Sequence, residues 1–177
     1  MRLASKILKV LGWHAIEADV PDKCIIVLAP HTSNWDFFYG LLYRSTLGIQ
    51  AKFLIKDDWF RFPFGSFMKR VGGVAVNRDT HTNLTEELAS LFEENESYHI
   101  AITPEGTRKA NKDWKMGFYH IASKAQVPVA LAYIDYKNKA VGISQIFHLT
   151  GDKDGDIRQI KSAYSAEQAR YPEKFKI

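Results

Sequence analysis

The 177-residue chain predicts an α/β fold: a single domain with a mostly parallel or mixed sheet flanked by helices. Short apolar runs rich in β-branched residues, such as Cys24-Ile25-Ile26-Val27-Leu28-Ala29, alternate with stretches of helical periodicity, such as residues 37–47. The residues best suited to chemistry follow two such runs directly, at 31–36 and 103–108. Carboxyl ends of strands are where α/β sheets bind their ligands. The length suits one domain with a substantial core and leaves no room for a second.

Taken in order, residues 2–13 place Leu3, Ile7, Val10 and Leu11 on one helical face, with Arg2, Lys6 and Lys9 around its edges. Such a stripe can lie in a membrane interface or pack on the domain. The run 24–29 reads as a buried strand, and Ser33 or Asn34 can cap the helix that follows it. Residues 51–56 form the next strand. Residues 59–70 interleave five aromatics and a methionine with basic residues, a composition for an apolar surface rimmed by phosphate-seeking charge or for a core helix. Gly72-Gly73 opens the strand 74–76, which delivers Asn77-Arg78. Residues 82–95 read as a helix with Leu84, Leu88, Leu91 and Phe92 inward. The strand 99–102 leads to Thr103-Pro104-Glu105-Gly106-Thr107-Arg108, and a helix is expected at 116–126. Residues 129–134 and 141–149 read as a strand and its antiparallel return across a turn at 136–140. A last helix is expected at about 156–170.

Composition narrows the function. Hydrophobic residues at 46% and charged residues at 25% are ordinary for a globular protein, and no apolar run approaches the roughly 20 residues needed to span a bilayer. The N-terminus lacks the pattern of a secretory signal. One cysteine, Cys24, excludes an internal disulfide and suits a reducing cytosol, so a cytoplasmic location is expected. In a buried strand Cys24 is a poor nucleophile. A net charge of +4 favours an anionic partner: phosphate headgroups, nucleic acid or an acidic carrier. Aromatic–basic interleaving suits single-stranded nucleic acid too, but no recognition motif of that class accompanies it, and a nucleic-acid partner is not expected.

His31 and Asp36 lie five residues apart across a strand-to-helix turn, so the helix start can fold the carboxylate back toward the imidazole. A carboxylate on one ring nitrogen fixes the tautomer and leaves the other free as a base. The plainer reading makes His31 a turn residue and Asp36 a first-turn carboxylate favoured by the helix dipole. In the second segment, Gly106 lets the backbone turn sharply. Backbone N–H groups there, with Thr107 and Arg108, can form an anion cradle to which Lys109, Lys112 and Lys115 add potential. His14, His81, His99, His120 and His148 have no partner at a diagnostic spacing. The segment 152–156 looks like a calcium loop but lacks its bidentate glutamate.

These segments resemble the glycerophospholipid acyltransferase family, which includes the lysophosphatidic acid acyltransferases. His31-Thr32-Ser33-Asn34-Trp35-Asp36 matches the family's His-x-Ser-x-x-Asp block. Gly73-Val74-Ala75-Val76-Asn77-Arg78 looks like its second block. Pro104-Glu105-Gly106-Thr107-Arg108 is similar to its third, and Val127-Pro128-Val129 looks like its fourth. Pro30 stands where asparagine often precedes the histidine, and Lys109 where serine often follows the arginine. The family's long N-terminal anchor is absent, unless residues 2–13 replace it.

The resemblance implies a glycerol-3-phosphate acyltransferase-like fold. It also implies acyl transfer from acyl-CoA or acyl-carrier protein to a hydroxyl of a lysophospholipid or glycerophosphate-type acceptor. His31 would be the general base, oriented by Asp36. Arg78 and Arg108, with Lys56 and Lys115, would hold the acceptor phosphate. Glu105 would order the loop or contact acceptor hydroxyls, and backbone N–H groups near Gly106 could stabilise the oxyanion. No metal or other cofactor is implied. Association with a membrane surface would be peripheral, at the inner face of the cell membrane. Two rivals remain: a metal-dependent hydrolase using His31 and Asp36 as ligands, and a catalytically silent phospholipid-binding module.

Overall fold

In the computed structural model, which describes residues 2–60, 65–76 and 84–177, the apolar runs become strands of one sheet. The strands are β1 (His14–Ala15), β2 (Lys23–Leu28), β3 (Ala51–Lys56), β4 (Gly73–Val76), β5 (Tyr98–Ile102), β6 (Val129–Asp135) and β7 (Ala140–Phe147). Across the sheet they run β1-β7-β6-β2-β5-β3-β4. β2 pairs in parallel with β5 and β6, and β3 with β5 and β4; β6 and β7 form an antiparallel hairpin.

The helices are α1 (Arg2–Val10), α2 (Trp35–Leu47), α3 (Gly65–Arg70), α4 (Leu84–Glu94), α5 (Gly117–Ala125) and α6 (Lys153–Ser162). Successive side chains of a strand point to opposite faces. Ile25, Val27, Val129 and Leu131 therefore bury against Leu88, Phe92, Phe118, Ile121 and Ile160 of α4, α5 and α6. Their neighbours Cys24, Ile26, Ala130 and Ala132 face the other way, and Ile134 packs there with Leu8 of α1 and Tyr43 of α2. Helices on both faces explain why β2 and β6 read as continuous apolar runs rather than alternating ones.

The topology makes the site. From β2 the chain crosses to β3 on one side, and from β5 it crosses to β6 on the other. The carboxyl ends of β2 and β5 lie side by side where the strand order reverses, the usual place for a ligand crevice in an open parallel sheet. Residue 31 follows β2 and residue 105 follows β5.

Some elements differ from expectation. α1 does not seat its larger apolar stripe on the domain. Ala4 and Leu8 are the buried residues, while Leu3 is 72% and Val10 87% exposed, beside a partly exposed Leu11. The expected last helix at 156–170 starts at Lys153, where Asp152 caps it by accepting from the Gly155 N–H, and ends at Ser162. Ser165 and Gln168 then form a capping box that opens the 3₁₀ turn Ala166–Gln168, and Pro172 opens another at Pro172–Lys174. Asp156, in the calcium-like segment, is a buried acceptor for Thr150 and Tyr119. β1 was not anticipated; two residues are too few to show a periodicity. In the aromatic stretch 59–70, Met68 is buried and Phe67 is 51% exposed; residues 61–64 lie outside the described part. The start of the 82–95 helix also lies outside it, and the described helix begins at Leu84.

Candidate active site

The loop from β2 into α2 is folded by a side chain that comes after it. Asp36, in the first turn of α2, reaches back so that Oδ2 accepts from the backbone N–H of Thr32 (2.9 Å) and Ser33 (2.8 Å). Ser33 Oγ accepts from the Trp35 N–H, while Asn34, at the cap position, makes no side-chain cap bond. These bonds satisfy N–H groups of the loop that leads into the helix, and the positive end of the helix dipole favours a carboxylate in its first turn. Asp36 is 1% exposed.

This arrangement brings His31 Nδ1 to 3.2 Å from Asp36 Oδ2. The contact is close but off the direction of a ring N–H bond, and Nδ1 has no hydrogen-bond partner by angle. It is a close approach of ring and carboxylate rather than an aligned hydrogen bond. The far ring nitrogen, Nε2, has no protein partner among the described residues. The other carboxylate oxygen, Oδ1, accepts from the Tyr136 hydroxyl at 2.7 Å.

Glu105 enters from the loop after β5. It is fully buried, and its Oε1 accepts from the backbone N–H of His31 at 2.6 Å, clamping the two loops together. Its Oε2 is buried without a hydrogen-bond partner. Burial pushes the Glu105 carboxyl up to about 8; the His31 N–H pulls the other way and the charge of Asp36 adds to the rise. The loop is closed on itself. The Asn111 side-chain amide donates to the Glu105 carbonyl, and the Lys115 N–H donates to the Pro104 carbonyl. Gly106 has φ +66°, and a Cβ there would come within 2.9 Å of Lys115 Cε, so the lysine stem lies across the glycine.

The structure thus gathers His31, Asp36 and Glu105, with Gly106 and Lys115 in contact beside them. Thr107 Oγ1 accepts from the Lys109 N–H, and Arg108 and Lys115 are exposed. The anion cradle needs one correction. The Gly106 N–H donates to the Thr103 carbonyl at 3.1 Å, so it is not open to an oxyanion. Arg78 lies outside the described residues. Lys56 ends β3 on the same sheet edge, but its side chain is not among those described.

Sequence reasoning missed the C-terminal contribution. Tyr136 was legible only as part of a turn. Tyr164 donates to the Val27 carbonyl at 2.8 Å, under the end of β2. The Tyr171 N–H donates to Thr32 Oγ1 at 3.3 Å, and the Arg170 guanidinium lies 5.8 Å from the ring centres of Trp35 and Tyr136. Trp35, 51% exposed, and Tyr171 flank the Arg170 guanidinium beside the loop that carries His31.

An α/β domain with this His–Asp turn beside a buried glutamate falls within a known enzyme family. Residues 12–134 match the family model described as Acyltransferase, and the chain belongs to the acyltransferase family. Among solved structures, the fold is similar to the crystal structure of the 1-acyl-sn-glycerophosphate (LPA) acyltransferase PlsC from Thermotoga maritima. The TM-score is 0.63 at 15% identity, over 92% of this chain and 73% of that one. No curated protein sequence matches the chain.

Proposed function

We propose that the protein moves a fatty acyl group from a thioester, acyl-CoA or acyl-carrier protein, to a hydroxyl of a lysophospholipid or glycerophosphate-type acceptor. The observation that carries this reading is His31 Nδ1 set 3.2 Å from a buried Asp36, at the paired carboxyl ends of β2 and β5. His31 Nε2 takes the acceptor's proton as its oxygen attacks the thioester carbonyl carbon. The C–S bond then breaks and the imidazolium returns the proton to the leaving thiolate. The carboxylate of Asp36 stabilises the imidazolium while it exists. Arg108 and Lys115, with Arg78 and Lys56, hold anionic groups of the substrates by charge-assisted bonds. The site needs no enzyme nucleophile, and burial pushes the Cys24 thiol up to about 12, well away from one. The hydrolase reading is the weaker one. Among the described residues, no group of three His, Cys, Asp or Glu side chains gathers as a metal site would require.

Peripheral membrane association belongs to the same proposal. Among the described residues no helix is long and apolar enough to cross a membrane. α1 nonetheless turns Leu3, Val10 and Leu11 outward, with Lys6 and Lys9 exposed among them, as a helix lying on an anionic surface would. The inner face of the cell membrane is the surface proposed.

The test is thiol release from acyl-CoA and acyl-carrier protein with lysophosphatidic acid and other lysolipids as acceptors, for wild type and His31→Ala, with products identified by mass spectrometry. Acceptor-dependent release of about 10²–10⁴-fold more in wild type is expected. Release without an acylated product would mean a thioesterase. Lipid binding without turnover for any pair would leave only the binding module.

A further inference from the structure

We propose that Tyr136 is a positioning residue for the catalytic base: its hydroxyl, 2.7 Å from Asp36 Oδ1, fixes the rotation of the carboxylate whose Oδ2 faces His31. The inference rests on His31 being the base. Asp36 Oδ2 is held by two backbone N–H groups, and a bond to Oδ1 restrains the carboxylate's turn about Cβ–Cγ from its other end. The approach to Nδ1 is close but off the ring N–H direction, so how the carboxylate is turned bears on how it meets the ring. The phenol supplies the second anchor.

Tyr136 is itself held from three sides. Its N–H donates to the Gln168 carbonyl at 2.9 Å, and its neighbour Lys137 pairs with Glu167. Its ring stands edge-on to Trp13 (5.1 Å) and Tyr39 (5.9 Å), with the Arg170 guanidinium 5.8 Å from its centre. The anchor lies just past residue 134, where the match to the family model ends.

The charged and titratable groups around Asp36 come from each neighbouring element: His31 on its own loop, Glu105 after β5, Tyr136 on the β6–β7 turn and Arg170 beyond it. Burial, and next the bond to Asp36, hold the Tyr136 phenol far above the ordinary tyrosine range; it stays a donor throughout any working pH.

Tyr136→Phe keeps the ring contacts and removes the hydroxyl alone. With the donor and acceptor that wild type uses, kcat should fall about tenfold with both KM values unchanged, the usual effect of losing a bond to a charged group. The carboxylate, free to turn, stabilises the imidazolium less well. The acid limb of kcat/KM should therefore move down by roughly half a pH unit. The same shift should appear in the His31 ring-nitrogen resonances of the full-length protein, a readout that needs no turnover. An upward shift would mean the hydroxyl merely drains charge from Asp36 and would overturn the proposal. So would an unchanged profile, or kcat and KM worsening together with a lowered melting temperature. If the resonances shift downward while neither protein turns over any pair, the positioning role stands and the acyl-transfer reading fails.

Discussion

Two buried carboxylates meet His31, Asp36 at its ring and Glu105 at its backbone N–H, and they are built differently. Asp36 has both oxygens engaged: Oδ2 with two backbone N–H groups and the imidazole, Oδ1 with a phenol. Glu105 has one bond, from the His31 backbone, and a buried oxygen with no partner. Asp36 stands at a helix start, where free N–H groups and the dipole favour negative charge. Glu105 lies deep beneath its loop, where burial raises it to about 8. The pair shows how identical chemistry is divided by surroundings: Asp36 addresses the ring with charge, while Glu105, protonated over much of the neutral range, holds the backbone without setting a second charge against the first.

The sharpest way to break this contrast is Asp36→Ala. It strands the Thr32 and Ser33 N–H groups and the Tyr136 hydroxyl, each at a cost of about 1–3 kcal/mol. Turnover should fall by about 10²–10⁴ and calorimetry should show a clearly lower melting temperature. Retention of wild-type kcat would remove Asp36 from the mechanism.

Next comes the pH dependence of stability, which should trace to Glu105. Its folded value of about 8 exceeds its ordinary 4.5, so between these limits the folded state binds more protons than the unfolded one. Stability is then fullest below pH 4.5 and declines as pH rises toward 8, by an amount on the order of a few kcal/mol. Glu105→Gln keeps an oxygen for the His31 N–H and cannot titrate. Urea melts from pH 5 to 9 should show the decline in wild type and lose most of it in the variant. Parallel curves would place the titrating group elsewhere.

A smaller effect is expected at Gly106. Alanine there must take φ +66° and push against the Lys115 stem, costing about 1–2 kcal/mol. Thermal melts would check it; an unchanged melting temperature would mean that the Glu105 loop shifts freely, against the closed loop described above. The least effect on stability should come from Leu3→Glu with Val10→Glu, at exposed positions, within about 0.5 kcal/mol. Flotation with anionic vesicles should nevertheless be lost, and unchanged flotation would exclude that face of α1 as the anchor.

The parts legible in the sequence are those set by local physics. A run such as 24–29 is too short and too β-branched for a helix, and proline closes it. The return of Asp36 onto its own loop was readable because the turn into a helix spans only five residues. Even so, the cap went to Ser33 rather than Asn34, a choice made by backbone angle. The break in the last helix was also written locally, in Ser165, Gln168 and Pro172, but a periodic reading carries through it.

What the sequence by itself determined is the order of the longer strands and helices and the two loops that bear the chemistry, because periodicity and turn residues act over a few positions. Only the tertiary structure decided which side of α1 is buried, since both of its apolar sets have helical spacing and Leu8 was chosen by Trp13 and Tyr43. It alone set Tyr136 on Asp36, one hundred residues apart, and left Glu105 with a bare oxygen. Hydrogen bonds and burial across such distances follow from how the sheet brings its loops together, and no local pattern encodes them.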